Sequence, residues 1–243
     1  MRQGGWGMSR RRLTKTFLWL SGLFLLIIFI QYPIQSNIDS WKTMSLPLAG
    51  QTIVLDPGHG GVDGGAEGED DTQEKEIALK VSLLLQDYLE QAGAIVYLTR
   101  EGDYDLANDD TRGLSRRKSE DIQRRVHFIK EKEADFFLSI HLNSLPDQRW
   151  SGAQTFFYPG KEKSELLATS IQDEIKDKLE NTTREALGIR QVYLLKYAEI
   201  PGALVEIGFL SNREERELLK DKGYQQKMAE SIYFGILKYA TES

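Results

Sequence analysis

The chain has 243 residues, a formal net charge of −6, 40% hydrophobic residues and no cysteine. That length suits one core-bearing domain with an appendage, and the missing cysteines exclude a disulfide framework and any thiolate metal site. Nucleic acid is not expected as a partner, because no basic stripe with interleaved aromatics occurs: Arg116-Arg117-Lys118 and Arg124-Arg125 are short and flanked by acids.

In chain order, the first feature is an address. Arg2, Arg10, Arg11, Arg12 and Lys15 precede every acidic residue, and residues 17–30 are apolar apart from Ser21 and Gly22. Counted to Ile34, the stretch would reach roughly 27 Å as a helix, close to the ~30 Å of a bilayer core. Only Gln35-Ser36-Asn37-Ile38 follows, with no small-x-small cleavage pattern. The expectation is a basic segment and signal anchor over 1–34, contact with the membrane through that helix, and a linker over 35–50. By the positive-inside rule, a catalytic domain over 51–243 then lies outside the cytoplasm.

Residues 52–55 read as a buried strand, followed by a loop carrying Gly60, Gly61, Gly64 and Gly65. Residues 74–91 read as a helix that is apolar over much of its girth and stopped by Gly93. A strand over 95–98, a polar loop over 102–115, a helix over 120–133 and a strand over 136–140 come next. Then follow a strand at 153–158, a helix at 164–179, a loop at 181–190, strands at 192–195 and 204–207, and helices at 213–220 and 225–239. Strands alternating with helices predict an α/β domain whose mainly parallel central sheet is flanked by helices on both faces.

Two of the three histidines, His59 and His141, directly follow apolar strands, where open α/β sheets place their sites. Two imidazoles plus one carboxylate form a zinc set that leaves a coordination position open. Glu74 and Glu76 both compete for the carboxylate place. Glu74 heads its helix, and Glu76 lies about 200° further round. Asp56 is expected to orient His59 through the second ring nitrogen. Asn143 and Ser144 are close enough in sequence to hold the His141 ring or a substrate. Glu206 interrupts the apolar run Leu204-Val205-Glu206-Ile207, and burying that charge without a partner is costly. Beside a hydrolytic metal, such a carboxylate serves as general base on water and then as acid toward a leaving amine. His127, on the helix over 120–133, reads as a surface ring. Arg100, Arg112 and Arg125 read as holders of internal carboxylates rather than of substrate. The long charged loop over 102–118 reads as a wall of the groove or a partner contact.

Asp56-Pro57-Gly58-His59-Gly60-Gly61, Glu74-Lys75-Glu76, Thr99-Arg100, Ser139-Ile140-His141-Leu142-Asn143 and Val205-Glu206-Ile207-Gly208-Phe209-Leu210-Ser211-Asn212 occur in this order. They resemble the zinc-dependent N-acetylmuramoyl-L-alanine amidases of bacterial cell walls, over about residues 51–240. The resemblance implies one zinc ion per chain on His59, Glu74 and His141, with Glu206 as the catalytic carboxylate. It implies peptidoglycan as substrate, cut at the amide between N-acetylmuramic acid and L-alanine. A narrower resemblance, to the germination-specific amidases of spore-forming Firmicutes, rests on three segments. These are Thr111-Arg112-Gly113-Leu114-Ser115-Arg116-Arg117-Lys118, Asn181-Thr182-Thr183-Arg184, and the stretch from Tyr193 to Leu204. It implies spore cortex as the target, in a step before muramic δ-lactam forms. One departure stands out: many family members carry Arg-Gly where this chain has Leu187-Gly188, which bears on how the stem peptide is held. No segment identifies a protein activator. The rival readings are a zinc peptidase or deacylase for another amide, and a catalytically silent wall-binding module.

Overall fold

The computed structural model describes residues 10–31 and 46–242, in two compact units divided after Ser45. The first unit holds α1 (Arg10–Gln31), whose side chains from Phe17 to Ile27 are exposed almost throughout. Among the described residues no helix is long and apolar enough to cross a membrane. Residues 32–34 of the expected anchor and 35–45 of the expected linker lie outside the described residues.

The second unit is built on six strands: β1 (Thr52–Pro57), β2 (Ile95–Leu98), β3 (Phe136–Asn143), β4 (Gln154–Phe157), β5 (Leu187–Gly188) and β6 (Gly202–Phe209). Their order across the sheet is β2-β1-β3-β6-β4-β5. The pairs from β2 to β6 are parallel, and β4 runs antiparallel to β6. The sheet is therefore mixed, a coarser match to the expected parallel one. The central strands β1, β3 and β6 are apolar nearly end to end because both of their faces are covered.

One face is covered by α2 (Glu74–Gln91), α4 (Glu162–Leu179) and α7 (Lys222–Glu242). Ile77, Val81 and Leu85, Ile171 and Ile175, and Ile232 and Ile236 pack there on Leu55, Leu138 and Val205. The closest approach is at Gly235 of α7: a Cβ there would stand 2.5 Å from Ile171 Cα, so only glycine lets α4 and α7 meet. The other face carries α3 (Leu114–Glu131) and the short α5 (Tyr193–Tyr197), whose Val126, Ile129, Leu194 and Leu195 meet Val54, Phe137 and Leu204. The remaining helix, α6 (Arg213–Lys220), follows β6.

Two assignments differ from the sequence reading. Of the segment 192–195, read as a strand, residues 193–195 belong to α5, and the fifth strand lies instead at Leu187–Gly188, within a segment read as loop. A short apolar run has no decisive period, but the adjacent Leu194 and Leu195 are both buried against one layer, which a helical turn allows and an alternating strand does not. In addition, α3 starts at Leu114, six residues before the expected start, because its first turns are charged and show no apolar stripe.

Side-chain alternation fixes what the site receives. Val54, Phe137 and Leu204 face α3 and α5. Residues at even spacing beyond them share that face. Asp56 on β1, Ser139 and His141 on β3, and Glu206 on β6 therefore gather on one side at the carboxyl ends of parallel strands.

Candidate metal centre

His59 follows β1 in a sharp loop and itself adopts φ 60°, a left-handed conformation uncommon outside glycine. Two glycines are required by close approach. A Cβ on Gly58 would stand 2.5–2.8 Å from the His141 ring, and one on Gly65 would stand 2.4 Å from Glu74 Oε2. Buried guanidinium groups hold the loop from behind. Arg100 donates to the carbonyls of Pro57, Gly58, Gly102 and Lys75, the last at 2.7 Å. Arg125, from α3, donates to the carbonyls of Pro57 and His59 and pairs with Asp56 at 2.7 Å and Asp121 at 2.9 Å. In front, Asp103 Oδ1 accepts the Gly61 N–H, while Lys75 Nζ bridges the Gly61 carbonyl and Asp103 Oδ2. The charged loop thus braces the glycine loop.

His59, Glu74 and His141 converge. His59 Nε2 lies 3.1 Å from Glu74 Oε2, and His141 Nδ1 lies 2.8 Å from Glu74 Oε1. The two rings meet edge to face with centroids 5.1 Å apart. One donor atom from each residue lies within 4.8 Å of the others, a span one ion can bridge. Glu74 is buried and also accepts the N–H groups of Ala66 and Leu142, so its carboxylate is fixed in orientation. Burial would raise its pKa, but hydrogen bonds from His141 and His59 hold it well below the ordinary value of 4.5. Glu76 is exposed and lies 4.0 Å from Lys80.

Asp56 does not orient His59. It is buried with Thr99 Oγ1 and Ser139 Oγ donating to it at 2.7 and 2.6 Å, besides Arg125. Burial opposes its ionisation, yet Arg125, Ser139 and Thr99 keep its pKa below 3.8. The carboxylate on the second nitrogen of His59 belongs to Asp63, with Oδ2 at 2.9 Å from Nδ1 and Oδ1 at 2.8 Å from Lys118 Nζ. The available signal was its place four residues after His59 in the glycine loop. Burial alone would lower the His59 pKa; the hydrogen bonds to Asp63 and Glu74 lift it to about 9. Proton and metal therefore compete for this ring.

Glu206 stands in register with His141 on β3 and with Gln154 on β4. Paired residues point to the same face, so imidazole, carboxylate and carboxamide form one row. Glu206 Oε2 is sealed from solvent and has no hydrogen-bond partner. Burial, with the nearby Glu74 charge adding to it against the two imidazoles, raises its pKa to about 7. Two nitrogens and a fixed carboxylate oxygen suit zinc, and an orphaned carboxylate on the adjoining strand suits work on water beside it.

Asn143 stands two residues beyond His141 on β3 and accepts the Leu210 N–H through its backbone carbonyl. His127 is exposed, 3.9 Å from Glu131. Arg112 lines a polar cavity of about 520 Å³ with Asn108, Asp110, Arg116 and Glu120, in the charged loop and α3.

Comparison with known proteins decides the family. A profile described as N-acetylmuramoyl-L-alanine amidase matches residues 53–238. The chain belongs to the N-acetylmuramoyl-L-alanine amidase family. This amidase is 50% identical to the germination-specific N-acetylmuramoyl-L-alanine amidase of Bacillus subtilis over 231 residues, 94% of this chain and 97% of that one. Among solved structures it is similar to the CwlD amidase of Clostridioides difficile, determined in complex with the GerS lipoprotein. That match has 40% identity and TM-score 0.78, covering 79% of this chain and all of that one. An N-acetylmuramoyl-L-alanine amidase of Nostoc punctiforme matches with 30% identity and TM-score 0.68, covering 80% of this chain and 99% of that one.

Proposed function

We propose that this amidase cuts the bond between N-acetylmuramic acid and L-alanine with zinc held by His59, Glu74 and His141, and with Glu206 moving the proton. When bound, zinc supplies Lewis-acid polarisation of the lactyl carbonyl and lowers the pKa of water. The protein's own part is acid–base work. Glu206 accepts the proton of the attacking water and returns it to the departing L-alanine nitrogen, so the carboxylate is regenerated each cycle. Asp63 holds His59 through Nδ1, which leaves Nε2 toward Glu74 and free to serve as the ligand atom. Arg100 and Arg125 hold the loop that carries His59. The observation that carries this reading is Glu206 Oε2: a buried, partnerless oxygen in register with one proposed ligand.

The substrate is the spore cortex, where removal of the stem leaves muramic acid ready for δ-lactam formation. The reading is supported by the germination-specific relative. It places the work outside the cytoplasm, with residues 1–34 as membrane anchor, 35–50 as linker and 51–243 as catalytic domain. The support for the anchor is the basic cluster followed by the exposed apolar side chains of α1. The deciding experiment combines metal analysis with mass analysis of digested cortex peptidoglycan. One zinc per chain, free stems beginning at L-alanine and intact glycan are expected. Cleavage within the stem would make the protein a peptidase. Zinc without any turnover would make it a silent binding module.

A further inference from the structure

Arg184, in the segment Asn181-Thr182-Thr183-Arg184 that the proton chemistry leaves unused, lies against Phe209 at the carboxyl end of β6. Its Nη1 donates to the carbonyls of Ser151 and Gly152, both at 2.6 Å. Its guanidinium lies over Phe209 at 5.2 Å and against Trp150 at 5.7 Å. Nε and Nη2 make no hydrogen bond or ion pair among the described residues, and the side chain is only half-buried. Trp150 is half exposed beside it. Glu215, which feels the Arg184 charge, makes no ion pair with it, because its two oxygens accept the N–H groups of Gly152 and Phe209.

Register gives the spacing of Phe209 from Glu206 along the sheet. His141 pairs with Glu206, and two residues further along β3 Asn143 pairs with Phe209 across a bulge. Asn143 shares the face of His141, so Phe209 and the guanidinium above it lie on the Glu206 face. Two residues of strand amount to roughly 7 Å. An extended peptide advances about 3.5 Å per residue, so a group on the second stem residue stands a comparable distance beyond the scissile amide. In peptidoglycan that residue is a γ-linked glutamate whose α-carboxyl is either free or amidated.

We propose that Arg184 is the receptor for the α-carboxylate of the second stem residue, so the enzyme selects stems in which that group is free. Arg184 offers a fixed edge of N–H donors, held by two carbonyls and two rings. That geometry matches a carboxylate's two oxygens and has less to offer a carboxamide. The proposal rests on the amidase reading and supplies a holder for the stem.

The test compares two soluble substrates with the full chain, N-acetylmuramoyl-L-alanyl-D-glutamate and its α-amide. The wild type should show kcat/KM about 10-fold or more in favour of the free acid. Arg184→Gln should bring the ratio close to one while leaving kcat/KM for the amide near wild type. Arg184→Lys, which keeps the charge without the fork, should fall between. Equal wild-type rates on the two substrates, or an undiminished ratio in Arg184→Gln, would overturn the proposal. An Arg184→Gln chain that lost both activities equally would also overturn it, by showing Arg184 to be a prop for Ser151 and Gly152. Failure of the amidase reading is distinct, since neither substrate would then release a peptide beginning at L-alanine.

Discussion

Asp56 and Glu206 are carboxylates on the same face of the same sheet, with β3 between their strands, and their surroundings are opposite. Asp56 receives Arg125, Thr99 and Ser139, and its pKa falls. Glu206 has a buried oxygen without a partner, and its pKa rises to about 7. Fully satisfied, the first charge fastens α3, β1 and β3 together behind the His59 loop. Left unsatisfied, the second keeps its lone pairs for something absent from the fold itself. A folded chain tolerates the first arrangement because it completes a network; it tolerates the second only at a cost, and such costs collect at working sites. Substitutions at the two positions should therefore fail in different ways.

The largest effect expected is on turnover. Glu206→Gln keeps the shape of the side chain and removes its ability to take a proton. Cleavage of purified cortex peptidoglycan should fall about 10²–10⁴-fold, the usual worth of general acid–base help. Zinc content should remain one per chain. Near-normal turnover would take Glu206 out of the mechanism and leave its orphaned oxygen unexplained.

Asp56→Asn should instead damage the fold. It takes from buried Arg125 one of its two carboxylate partners, leaving Asp121, a loss below the roughly 3–5 kcal/mol of a fully broken buried pair. Urea denaturation at pH 7 measures it. The pH dependence has a definite sign. The folded pKa of Asp56 lies below the unfolded 3.8, so its contribution is full above 3.8 and disappears as pH falls through the lower folded value. The gap between variant and wild type should close only in that acid window. A gap unchanged down to pH 2 would mean that packing, not charge, connects these elements.

The same contrast explains how far the sequence could be read. His59, Glu74, His141 and Glu206 were legible because each breaks a strong local pattern: a polar residue at the end of an apolar strand, or an acid at a helix start. Strand alternation puts His141 and Glu206 on one face; His59 and Glu74 reach them from a loop and a helix start. Asp63 and Lys118 were not legible as contacts. They reach the site from a loop and from a charged helix turn, where no apolar period specifies which way a side chain points. Asp56 was assigned to His59 through closeness in sequence, although along a strand neighbours point to opposite sides. α5 was missed for a related reason, since a five-residue apolar run lacks the length to show a period.

The smallest effect sharpens the contrast from the other side, because the substitution that abolishes turnover should strengthen the metal-free protein. Glu206 has a folded pKa of about 7 against an ordinary 4.5. Its protonated form is the one the fold prefers, so stability is undiminished below pH 4.5 and declines as pH rises through 7. Glutamine never ionises and escapes that decline. In the presence of a chelator, Glu206→Gln should match the wild type near pH 4.5 and exceed it by about 1–3 kcal/mol at pH 8. Adding zinc should shrink the difference, since a nearby dication favours the ionised carboxylate that the empty fold disfavours. If the variant were instead less stable at pH 8, Glu206 would be a paired structural acid like Asp56, and the distinction between the two carboxylates would vanish.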